Sequence, residues 1–361
     1  IYIDEFYCGI DIYGKNDAIG GDKMKKMFSI FSLVFLIGIV LGACGDSDAG
    51  GESSGEDGGS EGGSVEEILD GEFVTILTGG SSGVYYPLGG TLADMFQNLG
   101  ANANSQSTAA SAANATTLNQ GDAEIGFSMG DAAADAYEGV GSFEEQGAQE
   151  NIRSLASLYP NYLQIVATEE SGIKTVEDLA GMNVAVGAPA SGTEISAQRV
   201  LEAYGMSYDD INEDFLSFSE GVEGIQNGNI DAVVISSGLP NAGVLELQTT
   251  QDIVVVEIDE DIILGMQEDY PAFFPTTVPK DVYDLEDDVT TIGVNNVLLT
   301  HSDVSDDLAY AMTKAIFENV DQLRDTHNAA QDITLEEALD NLPAPLHPGA
   351  ERYFEEEGIT E

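Results

Sequence analysis

The chain has 361 residues, enough for two domains with substantial cores, and its hydrophobic fraction of 43% is typical of a globular protein rather than a disordered one. Its 65 acidic and 11 basic residues give a formal net charge of -54, which argues against nucleic acid as a partner and predicts adaptation to high salt, where counter-ions screen self-repulsion. Both cysteines, Cys8 and Cys44, precede the predicted folded body, so no disulfide framework is expected.

The beginning of the chain predicts export. Residues 1–23 carry no clear pattern, and we expect them to be an upstream extension before a start at Met24. Residues 24–43 join two lysines to the uncharged run FSIFSLVFLIGIVLGA, which is typical of a secretory signal peptide and short for a membrane span. The run ends in Leu-Gly-Ala before Cys44, which resembles a bacterial lipobox. That resemblance implies a lipid anchor on Cys44 and an extracytoplasmic location; an uncleaved anchor is the alternative.

Residues 44–70 are expected to be a flexible acidic Gly/Ser linker, because low-complexity sequence of this kind cannot bury enough apolar surface to order itself. The body then alternates between short β-rich runs and helical patterns, which predicts an α/β fold with largely parallel sheets. The predicted strands are Phe73–Leu77, Ala123–Phe127, Leu163–Ala167, Asn183–Val186, Ala232–Ile235 and Ile253–Glu257, and the predicted helices are Leu88–Leu99, Ser111–Gln120, Thr193–Tyr204, Val222–Asn227 and Asp303–Arg324.

Two small-residue turns join a strand to a helix. The first lies in Thr78–Gly90, TGGSSGVYYPLGG, and the second in Gly187–Thr193, GAPASGT. Free N–H groups at a helix N-terminus favour an anion, and open α/β sheets bind ligands at the carboxyl ends of their strands. The two turns therefore predict two lobes that face one cleft, although each turn could also be a simple helix cap.

The body also resembles a known family through several stretches in the same order. They are TGGSSGVYYPLGGTLADM (Thr78–Met95), YPNYLQIVATEESGIKTVEDLAGMNVAVGAPASGTE (Tyr159–Glu194), GNIDAVVISSGLPNAGVLEL (Gly228–Leu247), YAMTKAIFEN (Tyr310–Asn319) and PLHPGAERYFEEEG (Pro345–Gly358). These stretches resemble the TAXI-type solute-binding proteins of TRAP transporters.

The resemblance implies an α/β, two-lobed, hinged solute-binding protein similar to type II periplasmic binding proteins. Residues 71–165 would form the first part of lobe 1, residues 166–285 lobe 2, and residues 286–361 the return to lobe 1 with C-terminal helices. It also implies capture of a small organic anion or acidic amino acid, such as a glutamate- or glutamine-like solute, for TRAP permease subunits in the membrane. Neither an enzymatic activity nor a cofactor is expected.

The ligand-binding residues carried over from the family belong to both turns and to their surroundings. Met129 and Gly130 depart from the family pattern, which often has Gln-Ser before the aspartate, and they leave the solute's identity open. Arg153 is the best candidate for a cationic ligand group, with an ion pair as its alternative, whereas Tyr86 is expected in the core. The predicted site residues are Gly80, Ser81, Ser82, Gly83, Tyr85, Ser111, Asn114, Asp131, Ser191, Gly192, Thr193 and Pro240.

Two other functions fit parts of the sequence. Gly79–Gly83, GGSSG, formally matches the nucleophile motif of serine hydrolases with Ser81 as nucleophile, but Tyr-Tyr-Pro separates it from the helix pattern and no HGG-type oxyanion segment is visible. A sensor lipoprotein that presents its ligand to a receptor would keep the same binding fold. The three histidines, His301, His327 and His347, lack metal-ligand spacing, so no metal site is expected.

The acidic composition predicts that the fold depends on salt. We expect the melting temperature to rise between dilute buffer and molar KCl, because counter-ions screen the repulsion among carboxylates. Thermal unfolding followed by circular dichroism would measure this effect. A chloride salt serves better than a sulfate, which strengthens apolar burial in any protein. A melting temperature that stays level or falls would contradict the hypothesis.

Overall fold

The computed structural model describes residues 63–360, which belong to one compact unit. The predicted extension, the signal peptide, Cys44 and most of the linker lie outside these residues. Within the described range, no helix is long and apolar enough to cross a membrane. The end of the predicted linker forms a short helix, Val65–Leu69, because Ser64 and Glu67 make a reciprocal capping box.

The described residues form ten strands and twelve α-helices in a mixed α/β order. The strands are β1 (Phe73–Leu77), β2 (Asn102–Gln106), β3 (Ile125–Met129), β4 (Ile152–Thr168), β5 (Asn183–Ala185), β6 (Asn212–Asp214), β7 (Ala232–Ser237), β8 (Ile253–Val256), β9 (Phe273–Val278) and β10 (Val289–His301).

The helices lie mainly in the connections between the strands. They are α1 (Val65–Leu69), α2 (Tyr85–Asn98), α3 (Ser111–Asn119), α4 (Gly130–Glu138), α5 (Gly192–Ala203), α6 (Phe218–Gln226), α7 (Ala242–Gln248), α8 (Glu260–Met266), α9 (Lys280–Tyr283), α10 (Asp306–Glu318), α11 (Val320–Thr326) and α12 (Pro348–Glu356), with 3-10 turns at Gly141–Phe143, Glu169–Ser171, Val176–Leu179, Tyr208–Asp210 and Asn328–Asp332.

All ten strands belong to one sheet, in the order β2-β1-β3-β10-β4-β7-β5-β6, with β8 added on β4 and β9 on β10. The two outer groups, β2-β1-β3 and β7-β5-β6, are parallel, whereas β4 and β10 run antiparallel to their neighbours. The sheet is therefore mixed, and the prediction of largely parallel sheets is wrong. Strand β10 is not among the predicted strands, and it runs antiparallel between β3 and β4, where it links the two parallel groups.

Strands β4 and β10 connect the two parallel groups. The 17-residue β4 is about 55 Å long at the usual rise per residue. Its first part pairs with the end of β10, and its second part pairs with β7 and β8. Leu155, Leu163 and Val166 of β4 each belong to a different one of three buried hydrophobic clusters. This strand therefore takes part in the packing of every cluster.

Three predicted helices differ from those observed by three residues or more, and one of them, predicted at Val222–Asn227, is α6, which begins at Phe218. The first along the chain begins at Tyr85 rather than Leu88, so that Pro87 lies in its first turn, where the missing N–H would have no intrahelical acceptor in any case. The predicted helix Asp303–Arg324 is two helices, α10 and α11, which are separated at Asn319.

The C-terminal motif PLHPGA has a structural role. The buried His347 begins α12, and its Nδ1 accepts a hydrogen bond from the Gly349 N–H at 3.1 Å. Its Nε2 lies 3.0 Å from the Val304 carbonyl oxygen and therefore carries the proton. Burial lowers the pKa of His347, so the neutral ring is favoured. At Gly349 the helix approaches α10 so closely that a Cβ would lie 2.1 Å from the Asp306 carbonyl oxygen.

We expect Gly349→Ala to destabilise the protein by about 1–3 kcal/mol or more, because the added methyl group would force two helix backbones apart. The matched control is Gly265→Ala on α8, where a Cβ meets nothing within 4 Å and the substitution should be neutral or stabilising by about 0.4–1 kcal/mol. Urea unfolding of both variants in molar KCl measures the difference. Equal stabilities would contradict the close packing of α10 and α12.

Candidate functional site

The two small-residue turns, which were predicted to face one cleft, line the same cavity. It encloses about 600 Å³, including its open mouth. Among the described residues, its lining contains hydroxyl, amide and apolar side chains together with exposed backbone, and none of its side chains is charged at neutral pH. The lining residues are Gly79, Gly80, Gly83, Val84, Tyr85, Thr108, Ala109, Ala110, Ser111, Met129, Tyr159, Asn161, Ala188, Ser191, Gly192, Thr193, Ser217, Phe218, Ser236 and Ser237.

Hydrogen bonds from side chains of α3 and of the segment before it hold the first turn, which follows β1. Thr108 and Asn114 both donate to the Thr78 carbonyl oxygen at 2.8 Å, and Ser107 donates to the Gly79 carbonyl at 2.8 Å. These bonds fix the backbone at the carboxyl end of β1. The turn then leads into α2, whose first N–H groups lack intrahelical acceptors.

The second turn begins α5. The Ser191 hydroxyl accepts from the Glu194 N–H at 3.1 Å, as expected of a helix cap. Gly192 and Thr193 follow as the first helical residues, and their N–H groups have no intrahelical acceptor. Before them Ala190 has a φ of 63°, and its carbonyl accepts from the Ala113 N–H on α3 at 3.2 Å.

The left-handed backbone at the cavity is unusual for alanine. Ala110, just before α3, has a φ of 70° and lines the cavity, and Ala190, in the turn before α5, has a φ of 63°. A residue with a Cβ is strained in this region, and such strain tends to occur at functional sites. The observation supports a binding role for the cavity.

The floor of the cavity is a chain of hydrogen-bonded polar groups. Tyr85 donates to the Asn296 side-chain oxygen, and the Asn296 amide donates at 2.8 Å to both the Asn161 side chain and the Tyr159 carbonyl. Asn161 in turn donates to the Ser236 carbonyl at 3.2 Å. Asn296 lies where the pairing of β10 with β4 shifts register, and such a bulge redirects a side chain.

Two hydroxyls of the lining have no hydrogen-bond partner among the described residues. They belong to Tyr159 on β4 and Ser236 on β7, which are 0% and 5% exposed. Burial, followed by the proximity of Tyr85, raises the pKa of Tyr159 well above its usual value, so the neutral phenol is favoured. Neither residue was predicted from sequence, because a serine or tyrosine within an apolar strand gives no pattern that distinguishes it from core.

Most of the predicted site residues line the cavity, and five do not. Ser81 is exposed, whereas Ser82 lies beside the cavity and receives hydrogen bonds from the Ser219 hydroxyl and the Asn241 amide. Asn114 is buried below the first turn, and Pro240 follows a cis peptide bond outside the lining. Asp131 is the fifth. Those that line the cavity are Gly80, Gly83, Tyr85, Ser111, Ser191, Gly192 and Thr193.

Asp131 forms a buried ion cluster next to the cavity. Arg199 of α5 donates to an Asp131 oxygen at 2.9 Å and also pairs with Asp135, so the cluster joins α4 to α5. The guanidinium lies 4.0 Å above the Tyr270 ring. Burial raises the pKa of both aspartates despite the arginine. Arg199 was missed because it occupies an ordinary position of an amphipathic helix.

The predicted cationic candidate, Arg153, has a different role. Its guanidinium donates to the carbonyl oxygens of Glu150 and Ile152 at 2.8 and 2.7 Å. Arg153 lies outside the cavity lining and forms no carboxylate pair among the described residues. Tyr86 is 45% exposed, so its prediction as core is wrong. Within residues 63–360, no cluster of three metal-ligating side chains occurs.

A sequence model described as the NMT1-like family matches residues 76–358, which is most of the chain. The chain belongs to the NMT1-like family. The match includes every residue of the cavity lining and ends beside α12. The NMT1-like assignment therefore covers both turns and the strands that join them.

Several solved structures are similar to this NMT1-like chain. A protein from Bordetella bronchiseptica RB50 is 17% identical, covers 79% of this chain and 98% of its own, and gives a TM-score of 0.52. A binding protein component of an ABC phosphonate transporter from Pseudomonas aeruginosa is 12% identical over 76% of this chain and 84% of its own, with a TM-score of 0.49. PhnD1 from Prochlorococcus marinus (MIT 9301), in complex with methylphosphonate, is 10% identical over 80% and 99%, with a TM-score of 0.48. The Bordetella bronchiseptica structure, which has the highest TM-score of these three, shares the mixed α/β fold that the sequence predicted.

The ion cluster generates a pH prediction. Burial raises the pKa of Asp135 from its ordinary value of 3.8 to about 6, although Arg199 acts to lower it. The folded state therefore binds this proton more tightly than the unfolded state, and the stability gained on protonation is lost as the pH rises from 3.8 through about 6.

We expect the free energy of unfolding of the wild type, relative to Asp135→Asn, to increase as the pH falls from about 6 to about 4. The asparagine variant retains every other carboxyl group, so the difference isolates this one. Urea unfolding across the pH range measures it. A difference that decreases on acidification would show that Arg199 outweighs burial.

Proposed function

We propose that the protein is an extracytoplasmic solute-binding protein that captures a small solute in the cavity between its two turns. The cavity carries the proposal, because turns about a hundred residues apart in sequence lie together there and present helix N-termini and hydroxyl groups. A concave, mainly apolar site with a few convergent polar groups is typical of small-molecule binding. The NMT1-like family and its fold support the same conclusion.

Capture would use a hinge between two lobes. The lobe boundaries at residues 71–165, 166–285 and 286–361 remain predictions, and they fall within or beside β4 and β10. Two hydrogen bonds join the first two segments beside the cavity: Ser219 donates to the Ser82 hydroxyl at 3.0 Å, and Asn241 donates to the Ser82 carbonyl at 3.1 Å. A solute that touches both segments would stabilise this closed arrangement over an open one.

The delivery step is proposed from the sequence. The TAXI resemblance favours a TRAP permease driven by an ion gradient, and a lipid anchor on Cys44 would hold the protein at the membrane surface. The Pseudomonas aeruginosa neighbour belongs to an ABC transporter, but its likeness supports only the fold. Uptake that stops when the ion gradient is dissipated, while ATP remains, would support a TRAP partner.

The solute proposed from the sequence is a small organic anion or an acidic amino acid. The described residues offer such an anion the N-termini of α2 and α5 rather than a cationic side chain. The hydrolase alternative receives no support from Ser81, which is exposed and lies outside the cavity lining. Labelling of Ser81 by a fluorophosphonate probe would support it instead.

Native mass spectrometry of freshly purified protein in a volatile salt tests the proposal by weighing any solute that remains bound. Calorimetry at high salt with L-glutamate, L-glutamine, succinate, succinamate and methylphosphonate would follow. A protein that carries no solute and binds none of these compounds would argue against a binding role.

We expect Gly192→Ala to weaken binding at least tenfold and to leave cooperative unfolding intact. Its Cβ would lie 2.7 Å from both the Ser111 hydroxyl and the Met129 sulfur, so the turn could not approach α3. Gly90→Ala on α2 is the matched control, since a Cβ there meets nothing within 4 Å. Unchanged affinity in Gly192→Ala would refute a cleft that closes at this contact.

A further inference from the structure

The cavity contains two buried hydroxyls that the protein itself does not use. Tyr159 and Ser236 both belong to the lining, and neither of their buried hydroxyls has a partner among the described residues, although most buried polar groups in proteins are hydrogen-bonded. An unpartnered buried hydroxyl is destabilising. Two of them in one cavity indicate that their partner is a bound solute.

Apart from one oxygen of Asp131, the other polar side chains described around the cavity floor are hydrogen-bonded. Asn161 and Asn296 bond to each other, Tyr85 bonds to Asn296, and Ser237 accepts from the Asn241 amide at 3.1 Å. The polar groups of the floor therefore bond to one another, and of the buried hydroxyls of the lining only those of Tyr159 and Ser236 lack a partner among the described residues. Tyr159 lies on β4 and Ser236 on β7, and these two strands pair with each other in the sheet.

The charge around the cavity limits what these hydroxyls can bind. Of the seven lysines and arginines that follow Cys44, none lines the cavity. Arg199 is engaged by two aspartates beside it, so its charge is already neutralised. A carboxylate group of the solute that bound at the cavity floor would lose its hydration and would find no cationic side chain there to compensate. The net charge of -54 would repel it further.

An uncharged polar group meets no such cost. A hydroxyl can donate to a carbonyl or accept from an amide, and both Tyr159 and Ser236 have these two capacities. The N-termini of α2 and α5 also line the cavity and remain available for one anionic group. The site therefore distinguishes a charged end of the solute from an uncharged end.

We propose that Tyr159 and Ser236 are ligand-binding residues that hold an uncharged polar end of the solute, such as an amide or carbonyl group, and that the solute carries at most one anionic group. This inference rests on the proposed solute-binding function and narrows the proposed solute to a singly anionic compound or a glutamine-like amino acid, so it disfavours glutamate and other solutes with two carboxylates. It predicts discrimination against a dianion of the same size and shape.

Succinamate and succinate are the probes that test it, because they are nearly isosteric and differ by one negative charge at neutral pH. Calorimetry in molar KCl should show succinamate bound at least tenfold more tightly than succinate. Tyr159→Phe and Ser236→Ala should each weaken succinamate binding about three- to tenfold, the range for one neutral hydrogen bond.

A stability measurement separates ligand binding from a structural role. The ligand-free Tyr159→Phe protein should melt no lower than the wild type, because its hydroxyl has no partner to lose. The matched control is Tyr283→Phe: that buried hydroxyl donates to the Gln164 side chain and accepts from the Asn241 N–H, both at 2.7 Å, so its loss should lower the melting temperature.

Three results would overturn the inference: succinate bound as tightly as succinamate, full succinamate affinity in both variants, or no binding of either probe at millimolar concentration. If the protein nevertheless carries a solute in native mass spectrometry or binds another compound of the calorimetric panel, only this inference fails. If it carries no solute and binds none of them, the proposed function fails as well.

Discussion

The antiparallel pairing of β4 with β10 is the constraint on which the rest of the fold depends. These two strands link the parallel groups β2-β1-β3 and β7-β5-β6 into one sheet, and β4 contributes to all three hydrophobic clusters. The register shift at Asn296 then turns an amide towards Tyr85 and Asn161. This irregularity in the pairing thus places the amide that connects the polar groups of the cavity floor.

Local sequence was sufficient for the elements whose pattern is local. Strand β1 was predicted with its observed limits, and both cavity turns were recognised because glycine, serine and a following amphipathic helix occur together in each. Residues such as Ser191 could be assigned to a helix cap and to the cavity at the same time, since both roles use one geometry.

The rest of the site depends on pairing between distant parts of the chain. Tyr159 and Ser236 are 77 residues apart in the sequence and line the same cavity only because β4 lies beside β7. The ion cluster of Arg199 with Asp131 and Asp135 likewise requires α4 and α5 to pack together. Family resemblance pointed to Asp131 but could not show that an arginine already neutralises it. Its carboxylate is therefore part of the scaffold rather than of the cavity lining.

The uncharged lining of the cavity separates two effects of salt. Ionic strength changes the repulsion among the many surface carboxylates, but it screens hydrogen bonds between uncharged groups very little. If the stability of the protein increases with salt concentration, as the sequence predicts, its affinity for the uncharged end of the proposed solute would still be nearly constant. A lower salt concentration would then reduce the fraction of folded molecules before it changed the affinity of the folded molecules for the solute.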